Sequence, residues 1–144
     1  MKRRLVVDAR GGPLGATIAG ANVHETKLLA TTLEAIVVER PQPTAEQPQH
    51  LCLDKGDDNP TGHETVATHH YTPPIRRIGE EKLDPHGQNT YSARRWVVER
   101  TRAWLSKCRG LLVRYEKKAV NFLGLRQLAC ALIWVRRRAR LLGD

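Results

Sequence analysis

Residues 4–14 read Arg4-Leu5-Val6-Val7-Asp8-Ala9-Arg10-Gly11-Gly12-Pro13-Leu14. Leu5-Val6-Val7 is a short β-prone run, glycine and proline punctuate it, and Leu14 to Ile18 resumes the apolar character. That pattern predicts a β-hairpin. Downstream, from His24 to Val38, the apolar residues Leu28, Leu29, Leu33, Ala35 and Ile36 recur at helical spacing, with Glu25 and Thr26 near the start. A helix packed on the sheet is expected there. Residues 40–50 hold three prolines and three glutamines and read as a surface loop. Leu51-Cys52-Leu53 then signals a buried strand, ended by the polar run Asp54-Lys55-Gly56-Asp57-Asp58-Asn59-Pro60. A short helix is expected over Glu64 to His70 and another short strand over Ile75 to Ile78, followed by irregular chain from Gly79 to Thr90.

From Tyr91 onward the character changes to long helices. Val97, Trp104, Cys108, Leu111 and Tyr115 form one apolar stripe, with Arg95, Glu99, Arg102 and Ser106 on the opposite face. A second helix is predicted from Lys118 to about Arg140, with a core-like segment ending at Trp134 and a basic end, Arg136-Arg137-Arg138.

The 144 residues suit a single domain, and 40% hydrophobic with 27% charged residues is ordinary for a globular chain. The net charge of +9 is unusual and unevenly placed. Residues 1–49 carry six Lys/Arg against five acids, residues 50–91 four against seven, and residues 92–144 fourteen against three. The last third alone is therefore +11 (14 − 3), the electrostatic footprint of a polyanion partner such as nucleic acid, although a solvated basic face reads the same way. Cys52, Cys108 and Cys130 lie in apolar runs, away from metal-ligand spacing, so neither a disulfide framework nor a zinc site is suggested and a reducing cytosol fits. The start of the chain lacks a signal-peptide core, and Asn121, Arg126 and Gln127 interrupt the longest apolar stretch, which disfavours a membrane span.

Two carboxylates are placed where chemistry is plausible. Asp54 closes the expected strand and precedes a glycine turn, a position that projects a side chain from a sheet edge. Glu99 lies on a helix face flanked by Arg95 and Arg102. Carboxylates brought together from a strand end and a helix hold hard divalent cations, and a pair of such ions serves in-line phosphoryl transfer. The flanking arginines would suit a phosphate backbone. Taken singly, Asp54 also reads as a turn residue, and Arg95 with Glu99 as an ordinary i,i+4 pair. Asp8 follows a β-prone run, but before Ala-Arg-Gly-Gly-Pro it is a normal hairpin residue, and we assign it that role.

Around these positions the sequence resembles the DDE transposases of bacterial insertion sequences, in the group named after insertion sequence five, with an insertion sequence four-like transposase domain. The resemblance rests on Arg4 to Leu14, on Ala21-Asn22-Val23-His24-Glu25-Thr26-Lys27-Leu28-Leu29, on Leu53-Asp54-Lys55-Gly56, and on Arg95-Trp96-Val97-Val98-Glu99-Arg100-Thr101. It extends through Val113-Arg114-Tyr115-Glu116 and covers nearly the whole chain.

The resemblance implies an α/β fold: an RNase H-like mixed sheet flanked by helices, lacking its first strand, with a long helical C-terminal part. It further implies Asp54 and Glu99 as the second and third catalytic acids and as ligands of two Mg2+ ions. Arg95, Arg100 and Arg102 become candidate contacts to double-stranded DNA at element ends and target, in a cytoplasmic, nucleoid-associated bacterial protein. The family's first Asp belongs to a strand upstream of the segment matching Arg4 to Leu14, and no residue of this chain corresponds to it. An incomplete catalytic domain is therefore expected, partnered by an upstream transposase segment or a second copy. The alternative is a non-catalytic DNA-binding or regulatory remnant. Asp57 stands where the family usually has a tyrosine, a change expected to disturb packing beside Asp54.

Overall fold

The computed structural model describes residues 1–53, 57, 59–72 and 95–143, with Arg95 described in its backbone alone. Strands β1 (Lys2–Val7) and β2 (Pro13–Ala19) form the antiparallel hairpin that the Gly-Gly-Pro punctuation predicts. Leu5 pairs with Ala16, and the register shifts by one residue between Val6 and Val7.

Asp8 builds the turn. Its Oδ1 accepts the backbone N–H groups of Arg10 and Gly12 at 2.8 and 2.6 Å, and its own N–H donates to the Gly12 carbonyl at 2.8 Å. Such an aspartate turn satisfies donors that the ladder leaves unpaired. Gly11 takes the left-handed φ of 82°, where a side chain is strained, and an added Cβ would stand 2.9 Å from the Thr101 hydroxyl. Asp8→Ala strips two charge-assisted bonds from this turn and should cost about 1.5–3 kcal/mol, read as a lower midpoint of urea unfolding.

Side chains alternate across the hairpin. Leu5 and Ala16, with Val7 and Ile18, face a core completed by Leu105, Leu111, Phe122, Ala129 and Cys130. On the other face the buried hydroxyls of Thr17 and Thr32 bond at 2.6 Å, which fixes helix α1 (Glu25–Glu34) against β2. At the start of α1, Lys2 pairs with Glu25 at 2.8 Å, and the hydrogen bond from Lys2 holds the exposed Glu25 carboxyl below its usual pKa.

The apolar periodicity predicts helix as far as Val38, but α1 ends at Glu34. Ile36-Val37-Val38 are β-branched and lose rotamer freedom in a helix. The chain instead turns out, with the Val37 N–H donating to the Leu14 carbonyl at 3.4 Å and Val37 87% exposed. Residues 40–49 follow without helix or strand.

Leu51-Cys52-Leu53 differs from the strand that its composition predicts. Among the described residues one isolated parallel bridge, His50 to Thr72, is formed there, and Cys52 is exposed. Leu51 and Leu53 point inward onto a second core of Leu29, Leu33 and Val66, so the segment is extended and buried on one side alone. Helix α2 (Pro60–Thr68) begins four residues before the expected Glu64, because Asn59 caps it through a 2.9 Å bond from the Gly62 N–H and Pro60 fits the first turn. Asp57, just before it, is 2% exposed and ion-paired with Arg4, while its Oδ1 finds no partner among the described residues. The expected strand at Ile75 to Ile78 and the irregular segment from Gly79 to Thr90 lie outside the described residues.

The single long stripe from Val97 to Tyr115 divides in two. Helix α3 (Arg95–Ser106) stops at Ser106, and a short α4 (Arg109–Leu112) folds back. The break falls at Lys107-Cys108 and lets Leu111 turn under α3 to pack with Phe122. Consequently Cys108 is exposed and Tyr115 is 77% exposed, although the stripe assigned both to the core. Helix α5 (Ala119–Leu142) presents Phe122, Arg126, Ala129 and Cys130 inward, a spacing of one helical face. No described helix is long and apolar enough to cross a membrane.

Candidate functional site

Glu99 owes its position to how α3 is docked. Val97, Thr101 and Leu105 recur at i, i+4 and i+8 and are buried, which turns Glu99, Arg102 and Ser106 outward. Thr101, fully buried, donates its hydroxyl to the Gly11 carbonyl at 2.7 Å. Arg100 donates to the Arg10 carbonyl at 2.6 Å and stacks between Trp96 and Trp104, 4.9 and 5.2 Å from the ring centroids. Two residues that follow Glu99 in sequence thus grip the hairpin turn.

From α5, Arg137 also donates to the Arg10 carbonyl and stands 3.8 Å from Asp8, and its guanidinium lies over Trp104 and Trp134. Trp134 donates its indole N–H to the Pro13 carbonyl at 2.7 Å. The turn at 8–13 is therefore held from α3 and α5 together, and two of the sequence segments singled out above, Arg4 to Leu14 and Arg95 to Thr101, meet in space.

The candidate site residues fare differently. Asp54 lies outside the described residues, as does the side chain of Arg95. Glu99 is 56% exposed in its side chain and accepts from Arg102 at 3.4 Å, a long contact one helical turn away. Arg102 is accessible, with its side chain 46% exposed. Arg100 is half-buried and engaged by the turn and two tryptophans, so its guanidinium has structural partners where the sequence suggests an open phosphate contact. Among the described residues no group of three His, Cys, Asp or Glu stands together as a metal site. Glu99 offers one accessible oxygen donor of the kind that hard divalent cations take, held by a single long contact.

Sequence reasoning gave Thr101, Trp134 and Arg126 no part in the site. Arg126 is the most informative of them, 5% exposed inside α5, with Nη2 donating to the Arg4 carbonyl at 3.3 Å. Its signal was a lone arginine amid the apolar run Ala119 to Val135.

Over residues 1–134 the chain matches the family described as Transposase DDE domain. The chain belongs to this transposase family. It is also similar to a Burkholderia cepacia protein described as a transposase for insertion sequence element IS402, with 33% identity over 134 residues, or 92% of this chain. The DDE chain spans 61% of that relative's length. No solved structure matches it. The contact between the hairpin turn and α3 sets where Glu99 emerges on the transposase domain.

Proposed function

We propose that the chain is the C-terminal portion of a transposase catalytic domain of the insertion sequence five group, built on an RNase H-like sheet, and that it serves DNA strand cleavage and strand transfer. The observation that carries this reading is the family match across residues 1–134, joined to a helix that displays Glu99 beside Arg102. Asp54 and Glu99 would hold the divalent ions, taken to be Mg2+. When bound, such ions activate water or a sugar hydroxyl and stabilise the leaving oxygen of an in-line displacement. The chain's own residues do the rest. Arg102, and Arg95 one helical turn before Glu99, attract the DNA backbone, while Arg100 and Thr101 keep the helix bearing Glu99 fixed on the hairpin. The first catalytic acid is supplied by a segment upstream or by a partner.

The deciding experiment is metal-dependent nicking of a duplex carrying an element end by the chain joined to an upstream segment that bears a strand-borne aspartate, which Glu99→Ala should abolish. The DNA-binding half has its own measurement. Arg136, Arg138 and Arg140 are exposed along the end of α5, and they neutralise phosphates without reading bases. The purified chain should bind duplexes of unrelated sequence with similar affinity, falling with salt on a log-log slope of about 0.9 per phosphate contacted. Binding that ignores salt would remove the support drawn from the basic third.

A further inference from the structure

A cavity of about 240 Å³ lies between β1, α3, α4 and α5, and its lining includes Arg3, Arg102, Arg126, Leu105, Leu111 and Phe122. It is smaller than the roughly 300–1,000 Å³ of pockets that enclose drug-sized ligands, so it suits a compact group. Three cationic side chains from three separate elements converge on it, and among the described residues no acid lines it.

The three arginines differ in their partners. Arg3 donates to the Leu111 carbonyl at 2.9 Å, and Arg102 reaches Glu99 at 3.4 Å. Arg126 is 5% exposed, and while its Nη2 meets the Arg4 carbonyl, its Nη1 has no hydrogen-bond partner among the described residues. Burial lowers the pKa of Arg126, Cys130 opposes that shift, and repulsion from Arg3 and Arg102 adds smaller lowering effects. Cys130 supplies no counter-charge near neutral pH, since burial raises its own pKa. A guanidinium does not escape such a setting by deprotonating, and a buried charged donor without an acceptor is costly. The missing element is an anion with several acceptor oxygens, which planar guanidinium forks bind in pairs.

We propose that this cavity is an oxyanion site that takes one phosphate group, with Arg126 as the buried donor and Arg3 and Arg102 as its accessible partners. The site goes beyond the transposase reading and assumes nothing about cleavage. Its phosphate comes either from a DNA backbone or from free inorganic phosphate.

The test is calorimetric titration of the full chain with inorganic phosphate, in a chloride background at fixed ionic strength and without divalent metal. Wild type should bind phosphate. Arg126→Met should weaken binding at least about tenfold, the loss expected for a charged hydrogen bond, and Arg102→Gln should weaken it less. Lys27→Gln, exposed on α1 and outside the cavity lining, should leave it unchanged. If Arg126→Met fails to fold, Arg3→Gln and Arg102→Gln decide, because both side chains are accessible. A short duplex that displaces the bound phosphate identifies the DNA backbone as the source, and phosphate retained beside bound duplex identifies the free ion. No phosphate binding above chloride, or equal binding by wild type and the cavity variants, overturns the proposal. Neither result bears on nicking, which is measured separately.

Discussion

Phe122→Ala is expected to destabilise the domain by about 3–5 kcal/mol, a large part of the roughly 5–15 kcal/mol that holds a typical domain folded. Phe122 is fully buried and packs with Leu5 and Ala16 of the hairpin, Leu105 of α3 and Leu111 of α4. Truncation removes the piece that joins β1, β2, α3 and α4 to α5, and the surrounding backbone is too constrained to fill the space. Two cations also stand over the ring, Arg3 at 5.0 Å and Arg114 at 5.8 Å from its centroid. Each such contact is worth about 0.5–1 kcal/mol at an accessible site, so volume outweighs them. Phe122→Leu keeps most of the volume and loses both ring contacts, and it should cost only about 1–2 kcal/mol. Leu141→Ala, at a residue 82% exposed on the same helix, should change stability by no more than about 0.5 kcal/mol. Urea midpoints at constant slope measure all three. Equal losses for the leucine and alanine variants at 122 would show that the ring contacts dominate instead.

Local chemistry made the hairpin and α5 legible in the sequence. Asp8 and the Gly11-Gly12-Pro13 turn specify the reversal between β1 and β2, and the inward face of α5 follows from the spacing of Phe122, Ala129 and Cys130. What escaped depended on contacts distant in sequence or on how a helix ends. The stripe from Val97 to Tyr115 has helical spacing throughout, and spacing alone does not register that Leu111 reaches the core after a break at Lys107-Cys108. Composition marks Leu51-Cys52-Leu53 as a strand, yet a strand needs a partner, and among the described residues a single bridge, from the preceding His50 to Thr72, is formed there.

The exposed place of Glu99 on α3 was legible in the sequence, and what holds that helix in place was not. Glu99 stands out because Arg95 and Arg102 flank it on one face. Arg100 was grouped with them as a basic residue, and nothing in a linear sequence announces that its partner is the Arg10 carbonyl, 90 positions away. Thr101 hides for the same reason, since its bond to the Gly11 carbonyl requires the hairpin to lie against α3. Arg126 did leave a mark, because a cation in an apolar run has to find an acceptor or open onto a cavity.

Removal of one carboxylate from the nicking reaction should have the largest effect on activity of any substitution in the chain. Our reading gives Glu99 and Asp54 two of the three acids, and two carboxylates are a poor substitute for three when a pair of divalent ions is to be kept in fixed geometry. The chain as it stands should therefore leave a duplex carrying an element end intact with Mg2+ present. The same chain joined to an upstream segment bearing a strand-borne aspartate should nick it. In that joined protein Glu99→Ala and Asp54→Ala should each return nicking to the uncatalysed level while leaving salt-dependent DNA binding in place, because neither carboxylate attracts a polyanion. Asp8→Ala separates the structural assignment from a catalytic one. Its carboxylate accepts two backbone N–H groups inside the turn, so the variant should lose stability and keep its nicking rate wherever it remains folded. Nicking by the chain alone that disappears on Asp8→Ala would make Asp8 the first acid, and the hairpin turn part of the catalytic centre instead of its support.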